Sequence, residues 1–450
     1  MAISVGFLLK GTVWTVGGYG VGQLLRLGTN VVLARLLAPE LFGIMLIINS
    51  LRMGITLISD FGIAQNIVYN KNADNPDFYN TAWSLEIVRN IVLWLVCLAA
   101  AAPLADFYDF PILLWILPVS ALSFVLSGFS SISRYLLQKR MQIAKLNTFE
   151  MIVALISSAA YILLAYLSPT IWALVLGGVL TSAVSMVGTY FLLPDVKDRF
   201  HISKDFAWEI LHFGKWIFVS SVVYFLSMNY DRLYLGKVIP LDVLGVYGIA
   251  RSISELLGIV ILRLGNMVLF PLIASHSHMP RTELHAQLVS IRAKFLLLVA
   301  VGVSFLVVTA DFAIKVLYDE RYQAAGWMLP VMIIGSWFTV LANINDSTLL
   351  GLGKPSYSAI ANSSKFAFLV IGLPLGFMAS GVLGVVVIVA FADLCRYIPV
   401  FVGQKREHFS FGMQDFLFTI LVFVLSGILE WLRWASGFGT FMESMPLHFS

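Results

Sequence analysis

The sequence has little charge and almost no cysteine. Only 12% of its 450 residues are charged, whereas soluble domains carry about 25%, so the chain lacks the polar surface of a soluble protein. Its two cysteines, Cys97 and Cys395, both lie in apolar runs, which argues against a disulfide scaffold or a cysteine-based metal site. A formal net charge of +4 is too small to indicate nucleic acid binding. We predict no metal site, no cofactor and no nucleic acid partner.

Apolar residues are abundant instead. They make up 59% of the chain, and the mean hydropathy is +0.88. Long apolar runs recur, each near the roughly 20 residues that a helix needs to cross a bilayer. The composition therefore predicts an all-α polytopic membrane protein in contact with membrane lipid. The opening segment MAISVGFLLKG has no charged leader and no small-residue cleavage site, so we expect the start of a mature chain and not a signal peptide.

Proline, glycine and charged clusters delimit thirteen predicted spans. Six precede a charged stretch and seven follow it: 12–36, 42–68, 81–103, 112–136, 146–167, 170–193, 213–236, 243–273, 293–314, 326–350, 357–379, 381–402 and 415–435. The predicted organisation is an N-terminal six-helix bundle at 1–193, a cytoplasmic linker at 194–209, a C-terminal six-helix bundle at 210–403, and a region at 404–450. That last region would hold a cytoplasmic loop, an extra transmembrane helix and a tail.

The cations are unevenly distributed between the two sides of this topology. With the N-terminus inside, fourteen Lys and Arg residues, Arg292 among them, fall on inner segments and four on outer segments. Cytoplasmic loops are enriched in cations. The asymmetry therefore predicts a cytoplasmic N-terminus and a cytoplasmic linker.

The two bundles look alike in sequence. A shift of 202 residues overlays RLLAPELFG, which starts at Arg35, on KVIPLDVLG, which starts at Lys237, without a gap. The same shift brings Trp14 onto Trp216. Because six spans separate the copies, both would run in the same direction, as in a parallel repeat. We therefore predict two related six-helix bundles, an arrangement typical of alternating access.

Five segments together resemble a known family. They are LARLLAPELFGIMLIINS from Leu33, LISDFGIAQNIV from Leu57, LLQKRMQIAKLN from Leu136, NYDRLYLGKVIPLDVLGVYGIARS from Asn229 and LLGLGKPSY from Leu349. Their order and spacing resemble bacterial oligosaccharide flippases, the polysaccharide transporter family of the multidrug/oligosaccharidyl-lipid/polysaccharide exporter superfamily. Two features depart from the family: Ala38 stands where a glycine is usual, and a thirteenth span follows the common twelve.

The resemblance implies a function as well as a fold. It implies a central cavity between two bundles that opens alternately to each side of the bacterial cytoplasmic membrane. The implied cargo is an oligosaccharide on a polyprenyl pyrophosphate, moved to the outer leaflet for surface polysaccharide biosynthesis. The protein would then be a transporter and not an enzyme. Polysaccharide polymerase machinery is an expected partner.

Eleven cations lie within the predicted spans. A cation at the bilayer centre costs roughly 2.5–3.5 kcal/mol on insertion scales, so these residues should face protein or a cavity. Arg26, Arg52 and Arg263 have no acid within four positions. Guanidinium groups bind phosphate oxygens bidentately, so we predict that these three hold the pyrophosphate of the cargo. Structural pairing with acids on other helices is the alternative.

Other charged residues in the spans have a local partner. An acid and a cation lie one helical turn apart in three places: Glu86 with Arg89, Arg251 with Glu255, and Asp393 with Arg396. Arg89 and Arg251 are further candidates for substrate binding, although ion pairing on the helix surface explains them equally well. Asp60 is the one deep acid of the first bundle without such a partner, and it is the candidate site for a coupling H⁺ or Na⁺.

Two other functions fit parts of the sequence. A cation-coupled multidrug exporter would share the superfamily fold, but it would depend on an acidic site more than on buried arginines. A membrane glycosyltransferase or polymerase would need acids on a sizeable outer loop. The longest predicted outer loop, at 311–321, is too short for such a site.

Overall fold

The computed structural model describes the backbone of residues 5–264, 273 and 280–445, and the side chains of the same residues except 5–19, 69, 213–220, 257, 261–264, 442 and 444. The chain divides into two compact units, Met1–Phe225 and Leu226–Ser450. No β-strand occurs in these residues. Nine of the described helices are long and apolar enough to cross a membrane, or ten if one bent pair counts as a single span. The prediction of an all-α polytopic membrane protein is therefore confirmed.

In the first unit, two short helices stand between longer ones. In chain order they are α1 (Val5–Leu36), α2 (Pro39–Ile58), α3 (Ile63–Tyr69), α4 (Pro76–Phe107), α5 (Leu113–Gly128), α6 (Ser133–Lys139), α7 (Ile143–Leu167) and α8 (Ile171–Thr189). A short 3₁₀ helix, Lys71–Asp74, precedes α4. The next helix, α9 (Lys204–Val238), begins inside the predicted linker and contains the division between the units.

The second unit continues with five helices after α9. These are α10 (Leu241–Leu264), α11 (Arg281–Leu317), α12 (Ala325–Gly351), α13 (Ser356–Arg406) and α14 (Gly412–Ala435). Nearly every side chain of α12 is buried, and this helix packs against α10, α11 and α13. The α14 helix packs against α11 and presents an exposed apolar face, as expected for lipid contact. It corresponds to the predicted extra span 415–435.

Two predicted spans were wrong in detail. The single span 42–68 is divided into α2 and α3 by a break in which the Gly62 N–H donates to the Asp60 carboxylate at 2.9 Å. Gly62 has a φ of 65°, a left-handed conformation that glycine adopts without steric cost. The span 112–136 is likewise divided into α5 and α6, which meet at a bend of 58°. Hydropathy does not register such breaks, because the residues on both sides remain apolar.

A third break was predicted correctly. The spans 357–379 and 381–402 were separated at position 380, and within α13 the backbone leaves helical geometry at Ser380 and Gly381, where Gly381 has a φ of 57°. The two halves of α13 approach closely next to this break. A Cβ atom on Gly384 would lie 1.9 Å from the carbonyl oxygen of Gly376. Only glycines allow this crossing.

The helix ends agree locally with the predicted repeat. The α1 helix ends at Leu36 and α2 begins at Pro39, while α9 ends at Val238 and α10 begins at Leu241. Both pairs of positions differ by 202 residues, the shift that aligns the sequences. This agreement supports the repeat at one turn of each unit. A six-helix repeat over the whole chain stays a prediction.

The start of α4 holds the segment that precedes α9. Three backbone N–H groups donate to side chains of α4: Arg199 to Asn80 Oδ1 at 2.8 Å, His201 to Ser84 Oγ at 2.9 Å, and Ser203 to Thr81 Oγ1 at 3.0 Å. Apolar residues of α3, α4, α6 and α9 bury a cluster beneath this segment. The predicted linker is therefore an ordered part of the first unit.

Candidate functional site

Arg52 on α2 is held by neutral groups. Its guanidinium donates a hydrogen bond to the hydroxyl of Ser123 on α5 and lies over the ring of Phe124, 5.1 Å from the centroid. The Ser123 hydroxyl itself donates to the carbonyl of Ser120 at 2.7 Å. A ring face and a hydroxyl orient a guanidinium, but neither neutralises it. Arg52 therefore keeps an uncompensated positive charge inside a predicted span.

Arg26 on α1 adds a second such charge. Its side chain is exposed, and the guanidinium groups of Arg26 and Arg52 both interact electrostatically with the hydroxyl of Tyr161 on α7. All 25 acidic residues of the chain have described side chains. None of those in the first unit forms an ion pair with either arginine. The two cations therefore create an electropositive site around Tyr161.

Glycine on α8 fixes the position of Tyr161. A Cβ atom on Gly177 would lie 2.4 Å from Cδ1 of the Tyr161 ring, far closer than packing allows. The ring therefore rests directly on the backbone of α8. This contact fixes the ring whose hydroxyl interacts with both arginines, and the role of the two arginines in cargo binding stays a prediction.

Arg263, the third predicted member of the set, lies near the end of α10. Its side chain falls outside the part of the chain that the structure describes. Its role in binding stays a prediction from the sequence.

Arg89 on α4 caps the end of α2. Its guanidinium donates to the carbonyl oxygens of Ser59 at 2.7 Å and Thr56 at 2.9 Å, and it pairs with Glu86 at 3.3 Å. A cation at a helix C-terminus satisfies free carbonyls and complements the helix dipole. The predicted pair with Glu86 is confirmed, and the cap gives Arg89 a structural role. Its predicted contact with substrate is untested.

Asp60 lies at the break after α2. Its carboxylate accepts the N–H of Gly62 at 2.9 Å and interacts electrostatically with Glu86. The charge of Glu86 is itself balanced by Arg89. A role of Asp60 in ion coupling stays a prediction.

Arg251 belongs to an extended ion-pair network in the second unit. Its Nε lies 3.2 Å from Glu255, as its spacing predicted, and 3.3 Å from Asp231 on α9. Asp231 also accepts a hydrogen bond from Tyr247. Glu255 receives a further bond of 2.6 Å from Arg232. Arg251 is therefore paired with two acids, although its buried Nε makes no hydrogen bond, and its predicted role in substrate binding is untested.

The network continues onto α12 and α13. Lys365 donates to Asp393 at 3.0 Å, and Asp393 also accepts from Thr339 at 2.7 Å. Arg396 pairs with Asp346 at 3.3 Å and lies 3.9 Å from Asp393, as predicted from the sequence. Lys365 and Asp393 are each almost completely buried. The sequence contains no local signal for the partner of Lys365, because its acid lies on the other half of α13.

Arg292 corrects one assignment from the sequence. It was counted among the cations of an inner loop, but it lies inside α11 with only 3% of its surface exposed and pairs with Asp415 on α14. Asn345 donates to the same carboxylate at 2.8 Å, and Tyr397 donates to it at 2.8 Å. A polar cluster therefore fastens α14 to the rest of the second unit.

Comparisons with known proteins identify the family of this chain. Residues 32–326 match the model of the family described as polysaccharide biosynthesis protein. The lipopolysaccharide biosynthesis protein WzxC of Escherichia coli (strain K12) is 22% identical over 386 residues, which cover 84% of this chain and 76% of WzxC. A putative O-antigen transporter of Shigella flexneri is 21% identical over 375 residues, which cover 80% of this chain and 88% of that protein.

Solved structures share the fold. The lipid II flippase MurJ in an inward closed conformation aligns with a TM-score of 0.71 and 13% identity, over 95% of this chain and all of MurJ. An inward-facing multidrug resistance transporter of the MATE family aligns with a TM-score of 0.62 and 16% identity, over 89% of this chain and 95% of that one. At such identities the likeness concerns the fold alone.

Proposed function

The chain belongs to the polysaccharide biosynthesis protein family, and we propose that it is a flippase that moves polyprenyl-pyrophosphate-linked oligosaccharides across the cytoplasmic membrane. The membership confirms the resemblance found in the five sequence segments. The names of the relatives, a lipopolysaccharide biosynthesis protein and a putative O-antigen transporter, support a cargo destined for surface polysaccharide.

The observation that carries this proposal is the uncompensated charge of Arg26 and Arg52. A cation inside a membrane protein is costly unless an anion lies near it, and no acid of the first unit pairs with these two. A pyrophosphate supplies the missing charge and accepts the forked hydrogen bonds of a guanidinium. Positively charged drugs would be repelled there. The multidrug exporter is therefore the less well supported function.

Deletion of the gene tests the cargo class. The strain should lose its surface polysaccharide and accumulate the lipid-linked unit at the inner leaflet, while drug susceptibility stays unchanged. A plasmid copy should restore the polysaccharide. Normal surface glycan together with hypersensitivity to lipophilic cations would favour the exporter instead.

Alanine variants test the arginines. Arg26→Ala, Arg52→Ala and Arg263→Ala should each lower complementation by at least about tenfold, since hydrogen bonds to charged groups contribute about 1.5–3 kcal/mol. Protein abundance should be unaffected. Arg52→Lys should recover part of the activity, because it keeps the charge but loses the fork. Arg134→Ala removes an exposed pair with Glu150 and serves as the control with normal complementation.

The finer features of the mechanism belong to the same proposal. The two bundles alternate access, the N-terminus and the linker are cytoplasmic, Asp60 takes part in coupling to H⁺ or Na⁺, and a polymerase receives the product. The orientation has a direct test at Lys197, which is exposed. A cysteine there should resist impermeant thiol reagents in intact cells and react after permeabilisation. Labelling in intact cells would reverse the orientation.

A further inference from the structure

A cleft of about 830 Å³ opens between the first turns of α9 and the segment that joins α3 to α4. One wall consists of Asp205, Trp208, Glu209 and His212. Their spacing of three and four residues places them on one face of α9. The cleft lies within the first unit and shares no lining residue with the arginine site on α1 and α2. Its volume falls within the range of small-molecule sites.

The opposite wall is rich in amides. It is formed by Asn66, Asn70 and Asn72, with Lys71 beside them. The Asn70 amide donates to Glu209 Oε1 at 2.7 Å and to Asn66 Oδ1 at 3.2 Å. The bond to Glu209 connects the two walls, and the bond to Asn66 braces Asn70 within its own wall. The wall is therefore held in place before any ligand arrives.

Trp208 is prominent in this cleft. Its side chain is 71% exposed, and the nearest ring is that of His212, with centroids 6.0 Å apart and planes inclined by 40°. A large aromatic face next to carboxylates and amides offers one apolar platform and several hydrogen-bonding groups.

We propose that this cleft binds a sugar residue, with Trp208 stacked on the apolar face of the ring and the surrounding amides and carboxylates bonded to its hydroxyls. Hydroxyl groups donate and accept at once. They therefore match a cleft that has the acceptors Asp205 and Glu209 on one wall and, on the other, amides that both donate and accept. The proposal rests on the proposed flippase function, in which the sugar belongs to the cargo.

The charges of the cleft define the class of sugar. Two carboxylates, Asp205 and Glu209, face one ammonium, that of Lys71. The resulting excess of negative charge disfavours a uronic acid and admits neutral or amino sugars. The cleft is thus a binding site that selects the sugar part of the cargo, and it is separate from the site for the pyrophosphate.

Saturation-transfer NMR on the full-length protein in lipid nanodiscs tests the proposal. The probes are N-acetylglucosamine, galactose and glucuronic acid. The first two should receive saturation and glucuronic acid much less. Trp208→Ala should weaken binding of the first two by about fivefold to tenfold, the usual range for losing an aromatic stacking partner. Trp115→Ala removes another exposed tryptophan, on α5, and should leave the signals unchanged.

A second variant tests the origin of the selectivity. Asp205→Asn with Glu209→Gln keeps the shapes and the bond from Asn70 but removes both negative charges. Binding of glucuronic acid should rise toward that of the neutral sugars. Unchanged discrimination would remove the electrostatic basis of the proposal.

Two outcomes would overturn sugar binding. One is the absence of saturation transfer to all three sugars in the wild-type protein, and the other is equal transfer in wild type and Trp208→Ala. If the wild type binds no sugar but Trp208→Ala blocks polysaccharide export, the cleft binds a protein partner instead. Restoration of polysaccharide in the deletion strain by the wild-type gene tests the flippase function separately, so the two proposals can fail independently.

Discussion

The two units differ in how the cations of their predicted spans are paired with acids. In the second unit, four cations of the spans are matched by four acids: Arg232, Arg251, Lys365 and Arg396 by Asp231, Glu255, Asp346 and Asp393. In the described part of the first unit, Arg89 pairs with Glu86, but no acid of that unit pairs with Arg26 or Arg52. Placing a cation inside a membrane protein is costly in both units. The second unit offsets this cost with internal counter-ions. The first unit leaves Arg26 and Arg52 to be neutralised by an anion that binds from outside. Among these residues, cargo binding would fall to the first unit and stability to the second, and the proposed role of Arg263 would add one cargo-binding residue from the second unit.

The largest effect is expected from removing an acid of the second unit. Asp393→Ala leaves Lys365 and Arg396 without this carboxylate in a buried environment. Breaking one partner of a buried pair costs about 3–5 kcal/mol. We therefore expect a strong fall in Tm in detergent and in membrane abundance. Asp106→Ala, at an exposed position of α4, is the control and should have little effect.

A paired replacement distinguishes lost charge balance from lost volume. Lys365→Met combined with Asp393→Leu removes both charges and should restore much of the Tm, since apolar pairs of similar volume often replace buried ion pairs without loss. Wild-type stability of Asp393→Ala would contradict the internal counter-ion account. So would a double variant no better than the single one.

A smaller effect is expected when Arg52 of the first unit is given an internal counter-ion, as the cations of the second unit have. Ser123→Asp places an acid where Arg52 now meets a hydroxyl, so the arginine would acquire an internal counter-ion. The protein should stay abundant, whereas complementation of polysaccharide export should fall by about tenfold or more, because the new carboxylate competes with the pyrophosphate.

Ser123→Asn is the matched control for that change. It has nearly the same volume as the aspartate and still accepts a hydrogen bond, but it carries no charge. It should retain most of the activity. If both variants lose export equally, the site is sensitive to shape and not to charge, and the contrast between the two units has no functional meaning.

Sequence patterns predicted the helices well where hydropathy and turn residues agree. The break at Ser380 and Gly381 coincides with the end of an apolar run. The break after α2 was missed, since Ser59 to Gly62 lie between residues that are apolar on both sides. The residues of the turn do indicate this break, because Asp60 accepts the N–H of Gly62 in a short-range turn. A hydropathy average over a long window does not detect such a turn.

The candidate site was predictable only where partners lie on one helix. Pairs one turn apart, such as Arg251 with Glu255, follow from helix geometry and are present at 3.2 Å. Pairs between helices, or between the two halves of a broken helix, depend on packing that one sequence does not contain. Lys365 with Asp393 and Arg292 with Asp415 are of this kind. The absence of a local acid near Arg52 was visible in the sequence, but its contact with Ser123 and Phe124 was not.

The smallest effects are expected outside the spans, where the two units behave alike. Asp74 in the first unit bridges Lys139 and Arg140, both at 3.1 Å, and Glu407 in the second bridges Arg281 at 3.0 Å and Lys354 at 3.2 Å. Partial burial would raise the pKa of Asp74, but hydrogen bonds from its two cations outweigh it and lower the pKa below 3.8. The hydrogen bond from Arg281 lowers the pKa of Glu407 below 4.5.

A carboxyl group with a lowered pKa in the folded state stabilises the protein above its ordinary pKa, and this contribution is lost as the pH falls through the folded value. The Tm in detergent should therefore decline below about pH 4.5. Asp74→Asn and Glu407→Gln should each remove a small and similar part of that decline, because exposed ion pairs contribute only about 0–1 kcal/mol. A large change for one variant alone would show that the units differ outside the spans as well, so that the contrast could not be assigned to their buried cations.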